Sequence, residues 1–376
     1  MGPRTCTLLL RLLQPLALAR AVHRRLGPGP RAVKRRRVAF YREVWGEAAT
    51  RLGATCEPWG PRAVEVHRAG RRALLAESDT SLDGPGSQSV AGDKPRVHRL
   101  LAGAGLPVPR HVAFRAGDPR PALAFLAAAG GPCVVKPACG TGAGRGVTAG
   151  IRSTADLARA AAAASVYGES LLIEELVAGD NYRLLFLDGR LLDAVLRRPP
   201  AVVGDGRSTV RRLVRRANAE RLTGGHRLAQ ALLTIDLDMR LALAAQGLTL
   251  AAVPAAGEVV RVKTAVNENA RPDNLDAADR LGAAVIEAGR RAADAAGVCL
   301  AGVDVIAVDP AVPLERSGGV ILEVNTTPGL FYHYRDRGPA TPVAVPILDR
   351  ILDGAPEQAD PTSSPTPVAS AADHSR

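Results

Sequence analysis

The chain has 376 residues, of which 47% are hydrophobic and 3% aromatic, so a wholly disordered protein is excluded and an aliphatic core is predicted. The net charge is +12, but ten basic residues and no acidic residue lie in residues 1–37, which leaves the remainder close to neutral. Five cysteines without a CxxC pair argue against a disulfide scaffold or a zinc module.

Residues 1–37 are predicted to be a basic leader. Leu9, Leu12, Leu13 and Leu16 fall on one helical face, which favours an amphipathic segment touching a partner or anionic lipid, with a poorly ordered terminus as the alternative. Arg11 interrupts the apolar stretch, which argues against a secretory signal. No uncharged apolar run approaches the ~20 residues that span a bilayer, so we predict no transmembrane segment. No aromatic residues interleave with the basic ones, so we predict no nucleic-acid partner.

The hydrophobic patterns and turn signals predict an α+β protein, because strands and helices alternate without a βαβ rhythm. We divide the chain into the leader, an N-terminal region (38–91), a main domain (92–352) and a disordered tail (353–376) rich in Pro, Ser and Thr. Asp188-Gly189 predicts a tight hairpin, and Ser153 with Asp156 predicts a helix start. The predicted strands are 64–66, 72–77, 133–136, 171–173, 182–187, 190–196, 302–308 and 319–324, and the predicted helices are 94–104, 155–164, 210–218 and 277–296.

Four glycines at alternate positions, Gly140, Gly142, Gly144 and Gly146, form the first candidate site. Such a segment lets backbone N–H groups approach phosphate oxygens. It is not a P-loop, because Val147-Thr148 follows where Gly-Lys-Ser/Thr is required, and it joins strand to strand, unlike a dinucleotide fingerprint. We interpret it as a flap over a triphosphate, with a structural glycine loop as the alternative.

Lysine usage also points to phosphate. The chain has four lysines against 45 arginines, and three of them, Lys94, Lys136 and Lys263, lie outside the leader. A lysine offers phosphate a compact point charge, whereas three exposed cations are the alternative.

Oxygen ligands gather near the C-terminal end. Glu323 and Asn325 point to one face of a predicted strand, and Asp304 lies on a strand that could be its neighbour. Two carboxylates and an amide oxygen suit Mg²⁺ bound with substrate phosphates, with a structural salt bridge as the alternative. Glu174, Glu175 and Leu176 end another strand and precede Asp180 and Asn181, a pattern that suits a hinge against adenine and ribose.

Taken together, the order and spacing of these elements resemble the ATP-grasp superfamily, and most closely the ATP-grasp half of cyanophycin synthetase, over roughly residues 92–352. The resemblance implies an ATP-grasp fold, with two α+β subdomains sandwiching ATP and a small N-terminal region added. It also implies an ATP- and Mg²⁺-dependent ligase, with Mn²⁺ as an alternative metal, that joins a carboxylate to an amine through an acyl phosphate.

The resemblance assigns roles to individual residues. The residues implied to bind the nucleotide are Lys94, Lys136, Gly140, Gly142, Gly144, Gly146, Glu174, Glu175, Leu176, Asp180, Asn181 and Asn267. The implied metal ligands are Asp304, Glu323 and Asn325, and the implied catalytic residues are Arg183, Arg197 and Lys263.

The resemblance implies two small-molecule substrates, an acid and an amine, each an amino acid or a peptide. It also implies that the protein acts in the cytoplasm. A homo-oligomer is compatible with the sequence. In the related D-alanine–D-alanine ligases an arginine precedes the metal aspartate by two residues, but Gly302 stands here, so Arg183 or Arg197 is our hypothesis for stabilising the reacting oxyanion. His333 and Arg335 are candidates for facing the acceptor.

We expect no alternating polymerase, because no second half with a P-loop follows. The alternatives are an ATP-grasp kinase and a catalytically inactive nucleotide-binding regulatory protein.

Overall fold

Two antiparallel sheets, one of five strands and one of four, form the centre of the molecule. The computed structural model describes residues 2–26, 28–142, 144–229, 231–334 and 342–354, apart from the side chains of residues 23–28. The five-stranded sheet has the order β12-β9-β8-β13-β14 and the four-stranded sheet the order β4-β7-β5-β6. The strands are β1 (Thr55–Trp59), β2 (Ala63–Arg68), β3 (Arg71–Ala76), β4 (His111–Arg115), β5 (Cys133–Pro137), β6 (Thr148–Ile151), β7 (Ser170–Glu175), β8 (Asp180–Leu187), β9 (Arg190–Arg197), β10 (Ala201–Val203), β11 (Val259–Arg261), β12 (Asn274–Asp276), β13 (Leu300–Ala307) and β14 (Val320–Asn325).

Helices cover one face of each central sheet. The helices are α1 (Pro3–Leu26), α2 (Pro28–Arg51), α3 (Pro85–Ala91), α4 (Lys94–Gly103), α5 (Arg120–Ala128), α6 (Thr154–Ala164), α7 (Val210–Thr223), α8 (Leu237–Ala244), α9 (Ala283–Ala296), α10 (Leu314–Ser317) and α11 (Ala344–Gly354). The mixture of helices with antiparallel strands confirms the predicted α+β class.

The hairpin between β8 and β9 forms at the predicted turn. Asp188 and Gly189 have φ angles of +48° and +74°, so both residues adopt the left-handed conformation of the tight turns that match strand twist. The Ser153 side chain accepts a hydrogen bond from the Asp156 backbone N–H, as predicted for the start of α6.

One predicted helix is shorter in the structure. Residues 277–296 were expected to be helical throughout, but α9 begins at Ala283. Strand β12 ends at Asp276, the Ala277 N–H donates to the Ala194 carbonyl of β9, and Ala278–Arg280 form a 3₁₀ turn, so contact with the sheet delays the start of the helix.

Alternation along the strands gives the five-stranded sheet two different faces. Tyr182, Leu184, Val303 and Val305 belong to a core that also contains side chains of α4 and α9. The opposite side of the strands carries charged residues at one end and, at the other, leucines that pack with α2 and α11 in a second core. The N-terminal region is therefore anchored on the main sheet.

The leader is helical in the structure. Its second helix, α2, runs from Pro28 to Arg51, so residue 37, the predicted end of the leader, lies inside a helix. Within α1, Cys6 and Leu10 are packed toward the protein, whereas Leu12 and Leu16, on the apolar face predicted to contact a partner or lipid, are exposed.

One helical stretch, Pro3–Val22, is long and apolar enough to cross a membrane by length and composition. A core helix or a signal sequence would meet the same criteria. The expected absence of a transmembrane segment is therefore not confirmed. The predicted tail lies outside the described residues from residue 355 onward.

A smaller unit lies beside the four-stranded sheet. Strands β10 and β11 pair with each other, and their apolar residues form a separate core with α7 and α8. The Asp238 carboxylate at the start of α8 accepts a hydrogen bond from the Ala149 backbone N–H of β6, which joins this unit to the sheet.

Candidate functional site

The charged end of the five-stranded sheet brings the predicted metal ligands together. Asp304 of β13 lies opposite Glu323 of β14, and Asn325 lies opposite Gly302, two residues away on each strand. Residues directly opposite one another share a face of an antiparallel pair, and so do residues two apart on one strand. Asp304, Glu323 and Asn325 therefore lie on one face, as predicted.

Two arginines hold Asp304 from the neighbouring strands. Arg183 of β8 donates from Nε and Nη2 to the two carboxylate oxygens at 2.5 and 3.0 Å, and Arg197 of β9 approaches Oδ1 at 2.8 Å. All three side chains are buried. Burial acts to raise the pKa of Asp304, but the positive charges of Arg183 and Arg197 outweigh it and lower this pKa. The two arginines therefore favour the ionised form of Asp304.

Arg197 has two further neighbours. Its Nε and Nη2 atoms donate to Asn181 Oδ1 at 2.9 and 2.6 Å, so the amide predicted to contact ribose is instead engaged by an arginine. The Tyr332 ring lies 5.1 Å from the Arg197 guanidinium carbon and 5.6 Å from that of Arg183. Tyr332 was not predicted, since it lies in an aromatic run that has no pattern of its own.

Gly302 explains how an arginine reaches this position from another strand. A Cβ atom at residue 302 would lie 2.8 Å from Arg183 Nη1 and 2.8 Å from Pro328 Cβ. The glycine therefore leaves the space that the Arg183 guanidinium fills. The Arg183 side chain, from β8, thus fills the space above Gly302, beside the strand that carries Glu323 and Asn325.

Lys94 connects the glycine segment to this face. Its Nζ lies 3.4 Å from Glu323 Oε1 and donates to the Thr141 carbonyl oxygen at 3.3 Å. Its backbone N–H donates to the Ala138 carbonyl at 3.0 Å, so the start of α4 is tied to the strand leading into the flap. The side chain is buried, and it places one positive charge between the flap and a predicted metal ligand.

Lys136 forms a second buried pair. Its Nζ lies 2.7 Å from the Glu174 carboxylate, and both side chains are at least 95% buried. Lys136 lies on β5 and Glu174 on β7, two neighbouring strands of the four-stranded sheet. The predicted phosphate contact and the predicted adenine contact are thus direct neighbours.

The four flap glycines differ in backbone conformation. Gly140, Gly144 and Gly146 have φ angles of +69°, +66° and +77°, where other residues are strained, whereas Gly142 does not share this conformation. A Cβ on Gly144 would lie 2.3 Å from the Asn267 side chain, so the flap packs closely against Asn267. Three of the four glycines are therefore demanded by backbone geometry.

The predicted hinge is built at the end of β7. The backbone N–H groups of Glu175 and Leu176 donate to the carbonyls of Arg110 and Pro132, each at 3.0 Å. The Glu175 carboxylate pairs with Arg110, whose Nε lies 2.8 Å away. These two N–H groups are therefore already bonded within the protein. Asp180 is exposed at the start of β8.

Lys263 lies in a different group of charges. Its Nζ is 2.6 Å from Asp236, 3.5 Å from Glu268 and 4.0 Å from Asp238. Burial acts to lower the pKa of Lys263, but these carboxylates together raise it, whereas burial raises the pKa of Glu268 and of Asp238. The structure does not group Lys263 with Arg183 and Arg197, and none of its three acidic neighbours was predicted.

Two histidine sites complete the surroundings. His98 Nε2 lies 3.1 Å from the Leu322 carbonyl and His98 Nδ1 lies 3.3 Å from His111 Nδ1. Burial, and then the charge of Lys136, lower the pKa of His98 to about 3, so this ring is neutral. His333 is buried against Asp193 at 2.8 Å, which does not fit the predicted role of facing an acceptor, and Arg335 lies outside the described residues.

The main cavity lies behind the flap. It encloses about 1210 Å³ and is lined by residues of α1, α2 and α6, with Gly144, Gly146, Lys263 and Asn267 among them. Thr148 lines it too and pairs with Val135, a core residue on the α6 side of the sheet, whereas Lys136 points to the other side. The cavity is thus separate from the face that carries Lys136.

The fold and the site define an α+β protein that resembles nucleotide-dependent ligases in its architecture. A bifunctional glutathione synthetase from Pasteurella multocida matches 83% of this chain and 43% of its own, with 22% identity and a TM-score of 0.53. Cyanophycin synthetase from Trichormus variabilis is 31% identical over 266 residues, which cover 70% of this chain and 29% of the relative.

The glutathione biosynthesis bifunctional protein of Mannheimia succiniciproducens is 31% identical over 261 residues, which cover 68% of this chain and 34% of the relative. No family model matches the chain. The chain belongs to the ATP-grasp superfamily, as its motifs predicted. It spans about a third of the length of these curated relatives.

Proposed function

We propose that the protein is an ATP-dependent ligase that joins a carboxylate to an amine as an amide or peptide bond. The observation that carries the proposal is Lys94, which contacts both the flap at Thr141 and the strand of Glu323 and Asn325. The similarity to cyanophycin synthetase and to the glutathione biosynthesis protein supports the same reaction class.

Positive charge is concentrated where phosphate groups would lie. Lys94 supplies a point charge against the flap at Thr141, Lys136 lies on the strand that leads into the flap, and Gly140 and Gly144 let the flap backbone approach closely. In this proposal the flap closes over the triphosphate, and Glu174 to Leu176 lie beside the adenine.

The residues fit a magnesium ion. Asp304 has about four lone-pair positions, of which the two arginines use three, and Glu323 adds a second carboxylate. The Asn325 amide nitrogen donates to the Gly302 carbonyl at 3.1 Å, which leaves the amide oxygen as a hard donor. Glu323, Asn325 and Asp304 would hold the ion, which offsets negative charge on the phosphates when bound.

Arg183 and Arg197 supply fixed positive charge for an oxyanion. In the proposed reaction the substrate carboxylate attacks the terminal phosphorus of ATP, the bond to the bridging oxygen breaks, ADP leaves, and an acyl phosphate forms. The amine then adds to the acyl carbon, and phosphate and a proton leave as the amide forms. Both steps place negative charge on oxygen, and rigid guanidinium groups stabilise such charge without reorganisation. The contacts with Asp304 and Tyr332 hold the two groups rigid.

A substrate screen tests the proposal. Purified protein with ATP and Mg²⁺ is given pairs of amino acids and short peptides, and phosphate release and product mass are measured. We expect phosphate release only with an acid and an amine together, and a product that has lost water relative to the pair. Lys136→Ala and Glu323→Ala should each abolish turnover, while Lys34→Ala and Glu315→Ala, at exposed positions, should leave it unchanged.

The other outcomes identify the competing functions. A product carrying an added phosphoryl group would identify a kinase. Nucleotide binding without turnover on any pair would favour a regulatory role. Turnover that survives both Lys136→Ala and Glu323→Ala would overturn the assignment of the site. Amino acids or peptides as substrates, and the cytoplasm as the compartment, form part of this proposal, because they follow from the relatives.

A further inference from the structure

Helix α1 has two apolar faces, and only one of them is covered. On the inner side, Cys6 and Leu10 are buried, and Leu10 belongs with Leu157 of α6 to one core. Leu13 packs against the same core. The inner face therefore attaches the helix to the four-stranded sheet through α6.

The outer face carries two rows of exposed apolar side chains. The members of each row are spaced by four residues, and the two rows share one side of the helix. They are between 48% and 63% exposed to solvent and extend for about 21 Å along the axis. The members of this outer strip are Leu8, Leu12 and Leu16 in one row and Leu18 and Val22 in the other, and Leu16 also lines the cavity behind the flap.

Basic residues lie within and at the ends of the strip. By helical spacing, Arg4 and Arg20 extend the Leu8–Leu16 row at its two ends, and Arg11 lies between the two rows. All three are exposed, Arg20 also lines the cavity behind the flap, and no acidic residue occurs anywhere in residues 1–37. A helix with an exposed apolar face whose only charges are positive is the arrangement that binds at the surface of an anionic bilayer.

We propose that α1 lies flat on an anionic membrane surface, with the outer strip inserted between the lipid headgroups and the arginines against their negative charges. This inference is independent of the ligase proposal. Crossing the bilayer would require the helix to leave the core that holds Leu10, whereas lying on the surface uses only the uncovered face. Self-association through the strip would bring the arginines of two copies together without an acidic residue in 1–37 to compensate them.

Vesicle co-sedimentation tests this proposal on the full chain. We expect the protein to bind vesicles of phosphatidylglycerol and phosphatidylethanolamine, to bind pure phosphatidylcholine much more weakly, and to lose affinity as salt is raised. Leu12→Glu with Leu16→Glu should weaken binding at least about 100-fold, because two leucines no longer insert. Arg4→Gln with Arg11→Gln should weaken it about fivefold for each charge removed.

A matched control separates this strip from general hydrophobicity. Leu74→Glu with Leu100→Glu changes two leucines that are 46% and 40% exposed elsewhere on the surface, and it should leave vesicle binding unchanged. Because all four positions are exposed, circular dichroism should show both double variants folded.

Several results would overturn the proposal. Absence of binding to anionic vesicles, or equal loss in both double variants, would do so. A concentration-dependent dimer abolished by Leu12→Glu with Leu16→Glu, without vesicle binding, would identify a second copy as the occupant. Resistance to alkaline carbonate extraction from the membranes of expressing cells would show that the helix crosses the bilayer instead.

Discussion

Two buried groups of charges in this molecule have opposite balances. On the five-stranded sheet, Arg183, Arg197 and Lys94 face Asp304 and Glu323, so positive charge is in excess. Beside the flap, Lys263 faces three carboxylates, those of Asp236, Asp238 and Glu268, so negative charge is in excess.

The pKa directions follow this balance. The pKa of Asp304 is lowered because two arginines outweigh burial, whereas burial raises the pKa of Asp238 and Glu268 despite Lys263. The comparison shows that a lysine in a sequence does not by itself identify a phosphate-binding site, because its acidic neighbours in the fold decide whether its charge is available. The first group has a net positive charge that can bind an anion, whereas the charge of Lys263 is already balanced by its neighbouring carboxylates.

The largest expected effect comes from removing the central carboxylate of the first group. Asp304→Asn leaves two buried arginines without their anion, so we expect a loss of about 3–5 kcal/mol in the free energy of unfolding and turnover below detection. Urea unfolding and phosphate release measure the two effects. Asp279→Asn, at an exposed position, is the control. Near-normal stability in Asp304→Asn would show that the arginines do not depend on this carboxylate.

The second prediction compares the Lys136–Glu174 pair with the acid-rich group around Lys263 by nucleotide affinity. Lys263→Met and Lys136→Met should both destabilise the fold, because each leaves buried carboxylates uncompensated. Only Lys136→Met should weaken ATP binding, by about 10- to 100-fold, the effect of one lost charge-assisted hydrogen bond. Calorimetric titration of ATP measures the difference. Equal weakening in both variants would return Lys263 to the phosphate site.

The third prediction concerns pH. Folded His98 stays neutral down to about pH 3, whereas in the unfolded chain it takes up a proton near its ordinary pKa of 6.5. Its contribution to stability is therefore present above pH 6.5 and is lost as the pH falls toward 3. Between pH 7 and 4.5 the loss should be about 3 kcal/mol.

His98→Gln should remove this part of the pH dependence, because glutamine keeps a donor for the Leu322 carbonyl but does not titrate. Urea unfolding at the two pH values isolates the effect as a difference between the wild type and the variant. An identical slope in both proteins would mean that folded His98 takes up its proton near its ordinary pKa of 6.5.

Features set by local sequence pattern could be predicted from the sequence, whereas side-chain contacts made only in the folded protein could not. The turn at Asp188 and the shared face of Glu323 and Asn325 follow from strand alternation and turn chemistry, and both appear in the structure. The arginine clamp on Asp304 was missed because its members lie more than 100 residues apart along the chain. The three acids around Lys263 lie within 27 residues of it, but no motif links them to the lysine, so its role was inferred from motif position alone.

The smallest expected effect tests how the first group is held rigid. Tyr332→Ala removes the ring that lies against both guanidinium groups, so we expect each arginine to become more mobile. Turnover should fall by roughly five- to tenfold, equivalent to about 1 kcal/mol, with little change in the affinity for ATP. Tyr332→Phe keeps the ring and should retain most of the activity. If phenylalanine is as damaging as alanine, the hydroxyl rather than the aromatic face matters, and Tyr332 acts on a substrate instead of on the arginines.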